Sequence, residues 1–569
     1  MQMKYQITYT HPASRQIQVD TEVHFHDNEP REVRLPLWRP GRYERADFAQ
    51  YVSGFQVLDA EGNSLKWEKT ASHVWKIFSD CKSCIIRYRF YAGILNAGST
   101  WVDESCLYIN PVNCLLYKPG SLHEPCELRL IVPDDYQFAT SLTSVDRGVF
   151  QTSDFHELAD SPIIAADSFK HLQFIQSGIN FHFWFRGGNP DLEIIQPHMQ
   201  QIIAWQLKTM GSFPVDTYHV LCHILPYAAY HGVEHLASTV LTLGPADKFM
   251  DPGLYMEFLG LFSHELFHVW NVKSIRPADM LPYDYGKENY SRLGYIYEGV
   301  TTYYGDLFCI RSGVFDWEFF AGILEEWLTR YYHNEGRNVY SVSESSFDTW
   351  IDGYKPGVPG RRVNIYNEGA LCAWMADLYI RRNTSDQKSM DDVIRRLNEE
   401  FGKPGKGYTR DDYKCILEEI SGSQMDDYFS DFVEGTKDYG QWLKPLVEHV
   451  GLEIREEKNT SVLAAGFGFT LRVENKSYYV AQIATGSPAY EAGLAMQDEI
   501  LSIQGKAPGL ITSEMPRVIE MQVKRMGQEK NILLTADGKS YFNTVRVAKK
   551  ADASESQRRA FALWAGVSF

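Results

Sequence analysis

The chain has no apolar run long enough to cross a membrane. Its most apolar stretch, residues 254–270, is broken by Glu257, His264, Glu265 and His268, whereas a spanning helix needs about 20 consecutive apolar residues. Positive charge is also short. The 56 Lys and Arg stand against 73 Asp and Glu, a net of −17, which argues against nucleic acid or an anionic membrane as the main partner. No disulfide framework is visible, because the 9 cysteines are odd in number and scattered. Cys81 and Cys84 form one C-x-x-C with no second to complete a zinc site, and the pair reads as a turn before a strand at 85–90. The first residues alternate polar and apolar and lack the apolar core of a signal peptide. A cytoplasmic location is therefore expected, although a processed precursor would read the same. Internal repeats and low-complexity tracts are absent from the pattern.

What is present is a metal motif. Residues 264–268 read His-Glu-Leu-Phe-His. On a helix His264 and His268 lie one turn apart on one face, so both imidazoles reach a single ion. Glu265 is rotated one position along, where a carboxylate serves as general base towards a water. Leu259, Leu261, Phe262, Leu266, Phe267, Val269 and Trp270 surround the motif with apolar residues. A helix so wrapped is buried, and buried histidines and glutamates need a partner. Downstream, Glu298 in the run from Tyr297 supplies a third ligand from a second helix, leaving a fourth position open for water or substrate. Two imidazoles and one carboxylate suit zinc best, one Zn²⁺ per chain.

At 569 residues and 44% apolar content the chain should hold two to four domains. The expected class is multidomain α+β. Residues 1–170 read as short strands and turns, an antiparallel β-sandwich or barrel. Within it the run Pro36 to Tyr43, PLWRPGRY, reads first as a turn with satisfied arginines and second as an interface or substrate-facing loop. Residues 171–455 begin with strands at 181–185 and 218–225 flanking an amphipathic helix at 191–210. Helical patterns follow at 252–274, 291–312, 316–333, 364–383, 388–402 and 410–421. A short sheet followed by a helical body suits a thermolysin-like catalytic domain. Residues 460–550, with a hairpin at 474–476 and the run Gly486 to Leu494, resemble a PDZ domain, a module that takes a free peptide C-terminus at a sheet edge. Residues 551–569 form a tail, whose end Gly566-Val567-Ser568-Phe569 is apolar in the way such grooves accept.

With these units in order, the whole chain resembles the glycyl aminopeptidase family of PDZ-containing gluzincin metallopeptidases. The resemblance is carried by PLWRPGRY (36–43), HGVEHLAS (231–238), HELFHVWNVKSIRP (264–277), YEGVTTYYGDL (297–307) and YNEGAL (366–371). It implies zinc held by His264, His268 and Glu298, with Glu265 catalytic. It also implies two roles that spacing does not reveal. Glu234, ending Gly232-Val233-Glu234, would receive the substrate's α-ammonium group, so that only the first peptide bond reaches the metal. Tyr366, opening Tyr-Asn-Glu-Gly, would donate a hydrogen bond to the oxyanion; Tyr303 and Tyr304 compete for that role. The chain departs from relatives at His231, where glycine is common, and at Glu368, where lysine is. The expected function is a zinc aminopeptidase acting on peptides with a free N-terminus, favouring Gly or Ala as the family name implies. The alternatives are a PDZ-guided zinc endopeptidase and a catalytically silent peptide-binding scaffold. The expected partners are peptide substrates and a PDZ ligand.

Overall fold

The computed structural model describes residues 3–26, 30–355, 357–510 and 516–569. Strand Gln16–His24 buries every second residue, the period of a half-buried strand. It lies inside a seven-stranded sheet whose order runs Thr143–Asp146, Val149–Thr152, Cys126–Ile131, Met3–His11, Gln16–His24, Ser83–Tyr91 and Val52–Leu58. A four-stranded and a three-stranded sheet complete the N-terminal β unit. One pairing departs from the antiparallel expectation: Met3–His11 runs parallel to Cys126–Ile131. The core of this unit extends into the following one through Val272, Met280, Tyr283, Tyr285, Tyr297 and Trp350.

The second unit opens on a five-stranded sheet in the order Lys170–Gln176, Ile179–Arg186, Thr217–Ile224, Ser238–Gly244, Ala229–Glu234. The inner pairings are parallel and the edge strand Ala229–Glu234 is antiparallel to its neighbour. One face packs on helices Leu192–Met210 and Pro252–Phe267. The other meets the N-terminal unit through a small seam of Ala97, Cys106, Tyr108, Leu221, Val233 and Val240. The helical body follows the expected order. The helix expected over 291–312 is divided at Glu298 into Gly294–Tyr297 and Gly299–Arg311, and the motif helix ends at Phe267 rather than near 274. No helix of the described residues is long and apolar enough to cross a membrane.

The C-terminal boundaries differ from expectation. Strand Leu452–Glu457 pairs with Thr544–Lys549, and Val545 and Val547 belong to the core of the second unit. The separate five-stranded sheet unit, Phe469–Glu474 to Gln528–Thr535, is thus inserted between two strands of the second unit. Residues 551–569 are not a loose tail. They carry helix Glu555–Ala565, capped by a reciprocal Ser554–Gln557 box, with Phe561 and Trp564 fully buried. Val567 and Phe569 pack against the same core, and the Phe569 ring lies 5.2 Å from that of Phe561.

Candidate metal centre and peptide cleft

Helix Pro252–Phe267 brings the Nε2 atoms of His264 and His268 to 3.1 Å. Glu298 presents a carboxylate oxygen 3.4 Å from His268 Nε2 and 3.9 Å from His264 Nε2. Glycines allow this convergence. A Cβ on Gly305 would lie 3.1 Å from His264 Cα, so helix Gly299–Arg311 runs close against the motif helix. A Cβ on Gly299 would lie 2.3 Å from Gly369 Cα, so that helix also crosses Asn367–Asn383 backbone to backbone. The first contact positions Glu298, and the second brings Tyr366 beside it.

The imidazoles are oriented from behind. His268 Nδ1 donates to the Asn271 carbonyl at 2.8 Å. Asn271 is itself pinned by its amide, which donates to Ile296 O and Thr301 Oγ1, each at 2.9 Å. A carbonyl only accepts, so Nδ1 carries a proton and Nε2 is the atom turned towards His264 and Glu298. The turn that aims Asn271 places buried Val272 at φ 100°, a conformation costly for a β-branched residue and retained here beside the motif.

These three donor atoms fit one divalent ion. Their separations bracket the tetrahedral edge of about 3.3–3.4 Å that zinc bond lengths of about 2.0–2.1 Å imply. Electrostatics point the same way. Glu234, Glu265 and Glu298 are all buried around one space. Burial, reinforced by the neighbouring carboxylates, raises Glu265 well above the usual carboxylate range; burial also raises Glu298. Burial pushes His264 down, while Glu298 and Glu234 outweigh burial at His268 and push it up to about 10. Glu234 Oε1 and Glu265 Oε2 have no hydrogen-bond partner, a costly state that a cation, water or substrate relieves.

The centre opens into a cleft of about 750 Å³. One wall is the edge strand Ala229–Glu234, and a Cβ on its Gly232 would fall 2.0 Å from Glu265 Oε1. Glu234 ends this strand with a carboxylate oxygen within 4.8 Å of ligand atoms of both Glu265 and His268. Across the cleft, Tyr366 begins helix Asn367–Asn383. Asn364 Oδ1 accepts from the backbone amides of Tyr366 and Asn367 at 2.9 and 3.2 Å. The Tyr366 hydroxyl lies 3.3 Å from that of Tyr354. Tyr354 in turn accepts from the Tyr43 backbone amide at 3.4 Å. Tyr303 and Tyr304 lie away from the cleft: their hydroxyls donate to Asp377 at 2.5 Å and Asp391 at 2.8 Å in the buried core. Cys84 is buried and its thiol pushed up to about 12 by burial, so Cys84 is not a reactive thiolate.

The structure adds residues that the sequence reading missed. The run 36–43 makes the expected turn, with Arg42 N donating to Arg39 O at 3.3 Å and Arg42 paired with Glu44 at 2.5 Å, and the same turn walls the cleft. Gly41 (φ 80°) covers Glu234 so closely that a Cβ would lie 2.5 Å from Oε2, and Arg42 lines the cleft. Trp38 anchors this wall through its indole N–H to Asp284 O at 2.8 Å. Asp160, from the N-terminal unit, accepts from Lys273 Nζ at 2.7 Å, meets His235 Nδ1 at 3.1 Å and accepts from Leu236 N at 2.9 Å. It thereby ties the residues after Glu234 to the loop after His268. Lys273 and His235 overcome burial and hold the Asp160 carboxyl well below the usual range. No local spacing signals this contact, because its partners are 75 and 113 residues apart.

A His-Glu-x-x-His helix with a downstream glutamate beside a sheet-edge cleft defines a site of the metallopeptidase class. Family models match the chain twice: a Peptidase M61 N-terminal domain over residues 4–167 and M61 glycyl aminopeptidase over residues 257–372. Residues 4–167 and 257–372 thus match two domain models of the M61 glycyl aminopeptidase family, and the segment that carries the metal motif matches its peptidase model. No curated protein gave a significant match. Among solved structures, an aminopeptidase N family protein from Idiomarina loihiensis shares the fold with a TM-score of 0.90 at 24% identity, covering 99% of this chain and 100% of that one. An M1 zinc metallopeptidase from Deinococcus radiodurans aligns at TM-score 0.49 and 14% identity, over 77% of this chain and 94% of that one. Aminopeptidase A of Legionella pneumophila, in complex with aspartic acid, aligns at 0.47 and 11%, over 96% of this chain and 57% of that one.

Proposed function

We propose that the chain is a zinc aminopeptidase that hydrolyses the first bond of peptides with a free N-terminus. The observation that carries this reading is Glu234: a buried, unpartnered carboxylate at the end of the cleft's edge strand, within 4.8 Å of Glu265 and His268. A carboxylate there accepts the α-ammonium group and leaves room for one residue before the metal centre. His264, His268 and Glu298 would hold the zinc. Bound zinc supplies Lewis-acid chemistry, acidifying a water and polarising the scissile carbonyl. Glu265 takes the proton of the attacking water on its free Oε2 and returns it to the leaving amine. Tyr366, aligned by Tyr354, donates its hydroxyl proton in a hydrogen bond to the developing oxyanion without adding charge to the resting site.

Glycine or alanine at the first position is what the family's name implies. The inserted sheet unit is read as a PDZ-like module on its sequence run Gly486 to Leu494 and its hairpin, in which Asn475 and Lys476 both adopt positive φ. The test is a panel of aminoacyl amides and their N-acetyl forms, with metal content measured in parallel. The free amides should be cleaved and the acetylated ones spared, and Glu265→Gln should abolish turnover with the metal retained. Equal cleavage of blocked and free substrates would overturn the aminopeptidase reading in favour of an endopeptidase. A purified protein without metal or activity would favour the silent scaffold.

A further inference from the structure

Beside the cleft lies a second pocket, of about 360 Å³, built almost wholly by the N-terminal unit. Arg42 lines both cavities. In a chain of net charge −17 this pocket gathers Arg39, Arg42, Arg45 and Lys355, with Glu44 as its one carboxylate. Glu44 is taken by Arg42 at 2.5 Å, and Arg45 pairs with Asp47 at 2.9 Å. Arg39 is different. It is 5% exposed, and among the described residues no carboxylate lies within ion-pair distance of it. Its single hydrogen bond goes from Nη1 to Pro40 O at 3.1 Å, although a guanidinium carries five N–H donors. It lies flat against Gly98, where a Cβ would fall 2.1 Å from Nη2. Phe48, Tyr51 and Phe90 supply apolar wall around the cations.

Arg39 lines this pocket and Glu234 lines the cleft, with Arg42 bordering both. Glu234 is 4% exposed with Oε1 unpartnered. The two feel each other's field, which partly offsets the effect of burial on Arg39. A buried charge that leaves its donors or acceptors unused is costly, and a ligand carrying the complementary pair relieves both ends at once. The α-ammonium and side-chain carboxylate of an N-terminal Asp or Glu are such a pair. His231, on the same strand, is pushed down to about 3 by burial and by Arg39 and Arg42, so it adds no competing positive charge near neutral pH.

We propose that the Arg39 pocket is a carboxylate-binding subsite for the first residue of the substrate, extending the enzyme's range from small residues to N-terminal Asp and Glu. The proposal rests on the reading of Glu234 as the ammonium anchor. The test is kcat/KM for the Asp, Glu, Asn, Gln and Ala p-nitroanilides with the wild-type enzyme and with Arg39→Met. A charge-assisted contact to a buried guanidinium predicts that wild type prefers Asp over Asn, or Glu over Gln, by roughly 10- to 100-fold. Arg39→Met should collapse that ratio towards one. A wild-type ratio near one for both pairs overturns the subsite without needing any variant. Equal loss on acidic and amide substrates in Arg39→Met also overturns it, leaving Arg39 as a counter-charge for Glu234. N-acetyl-Asp and N-acetyl-Ala p-nitroanilides separate the two readings. Their efficient cleavage removes the Glu234 anchor itself, whereas their resistance combined with an Asp/Asn ratio near one removes only the subsite.

Discussion

Replacing Gly232 by alanine tests whether Glu265 works from the position in which the edge strand holds it. The added Cβ would stand 2.0 Å from Oε1, 2.5 Å from Cδ and 2.7 Å from Cγ of Glu265, where ordinary contact begins at 3.4 Å. Something must move by about 1.4 Å. The strand is pinned, because Gly232 is in register with Leu241 and flanked by paired residues on both sides. Gly232 has an ordinary negative φ, so alanine adds no backbone strain. The yielding group is therefore the Glu265 side chain, whose Oε2 has no partner to hold it. A displacement of about 1 Å at a reacting group costs on the order of 10²-fold, so kcat should fall by roughly that factor. General acid–base catalysis as a whole is worth about 10²–10⁴-fold, so Gly232→Ala should retain some turnover. The assay is kcat and KM on alanine p-nitroanilide, with metal content and circular dichroism as controls. Wild-type kcat with full metal would refute the assignment of Glu265 as proton carrier. Activity lost in step with metal would refute the steric argument, since the clash would then act through the ligands.

Tyr366→Phe should lower kcat by about 10²–10³-fold with metal unchanged, and wild-type kcat would remove Tyr366 from the oxyanion contact. The Asp160 carboxyl is held below its usual range by Lys273 and His235. Its contribution to stability is therefore present above about pH 4, the unfolded value, and fades as pH falls towards the lower folded value. Asp160→Asn should cost about 3–5 kcal/mol near neutral pH and flatten that acid limb in urea unfolding; an unchanged limb would show that other carboxylates dominate it. Trp564→Ala should destabilise by about 3–5 kcal/mol, since its indole is fully buried and donates to the Tyr303 hydroxyl at 2.9 Å. A smaller change in denaturant midpoint would mean that the terminal helix is dispensable to the core.

The cluster of candidate metal donors was legible because its spacing is local. His264, Glu265 and His268 need only helical spacing to converge, and Glu298 follows at the head of the next long helix. Glu234 and Tyr366 were reached through resemblance, since each sits on a separate element and no periodicity links them to the histidines. The N-terminal strands were legible from alternation, as Gln16–His24 shows, but the parallel pairing of Met3–His11 with Cys126–Ile131 bridges more than a hundred residues and leaves no local mark. The terminal helix was misread for a related reason. Its apolar residues Phe561 and Trp564 are few, and they bury against helices some 250 residues earlier, as the Arg311 Nε bond to Trp564 O at 2.9 Å shows. The PLWRPGRY run is a turn and a cleft wall at once, and sequence alone does not separate the two because both place arginines around Pro40-Gly41.

That wall also explains why the β unit cannot be an ornament on the catalytic unit. Glu234 is covered by Gly41 at a distance that admits no Cβ, and Gly41 holds a positive φ that only glycine adopts without strain. Tyr354, which aligns Tyr366, accepts its hydrogen bond from the backbone of Tyr43 in the same run. Asp160, also from the β unit, fixes the residues on either side of the centre, His235 after the anchor and Lys273 after the ligand histidine. The metal donors come from the catalytic unit alone, whereas the anchor's cover, the support for Tyr366 and the cationic pocket come from the β unit. The second unit carries the metal donors, Glu265 and Glu234 itself, and the β unit covers and braces them. Substitutions in 36–43 should therefore change which peptides are cut before they change whether metal is held.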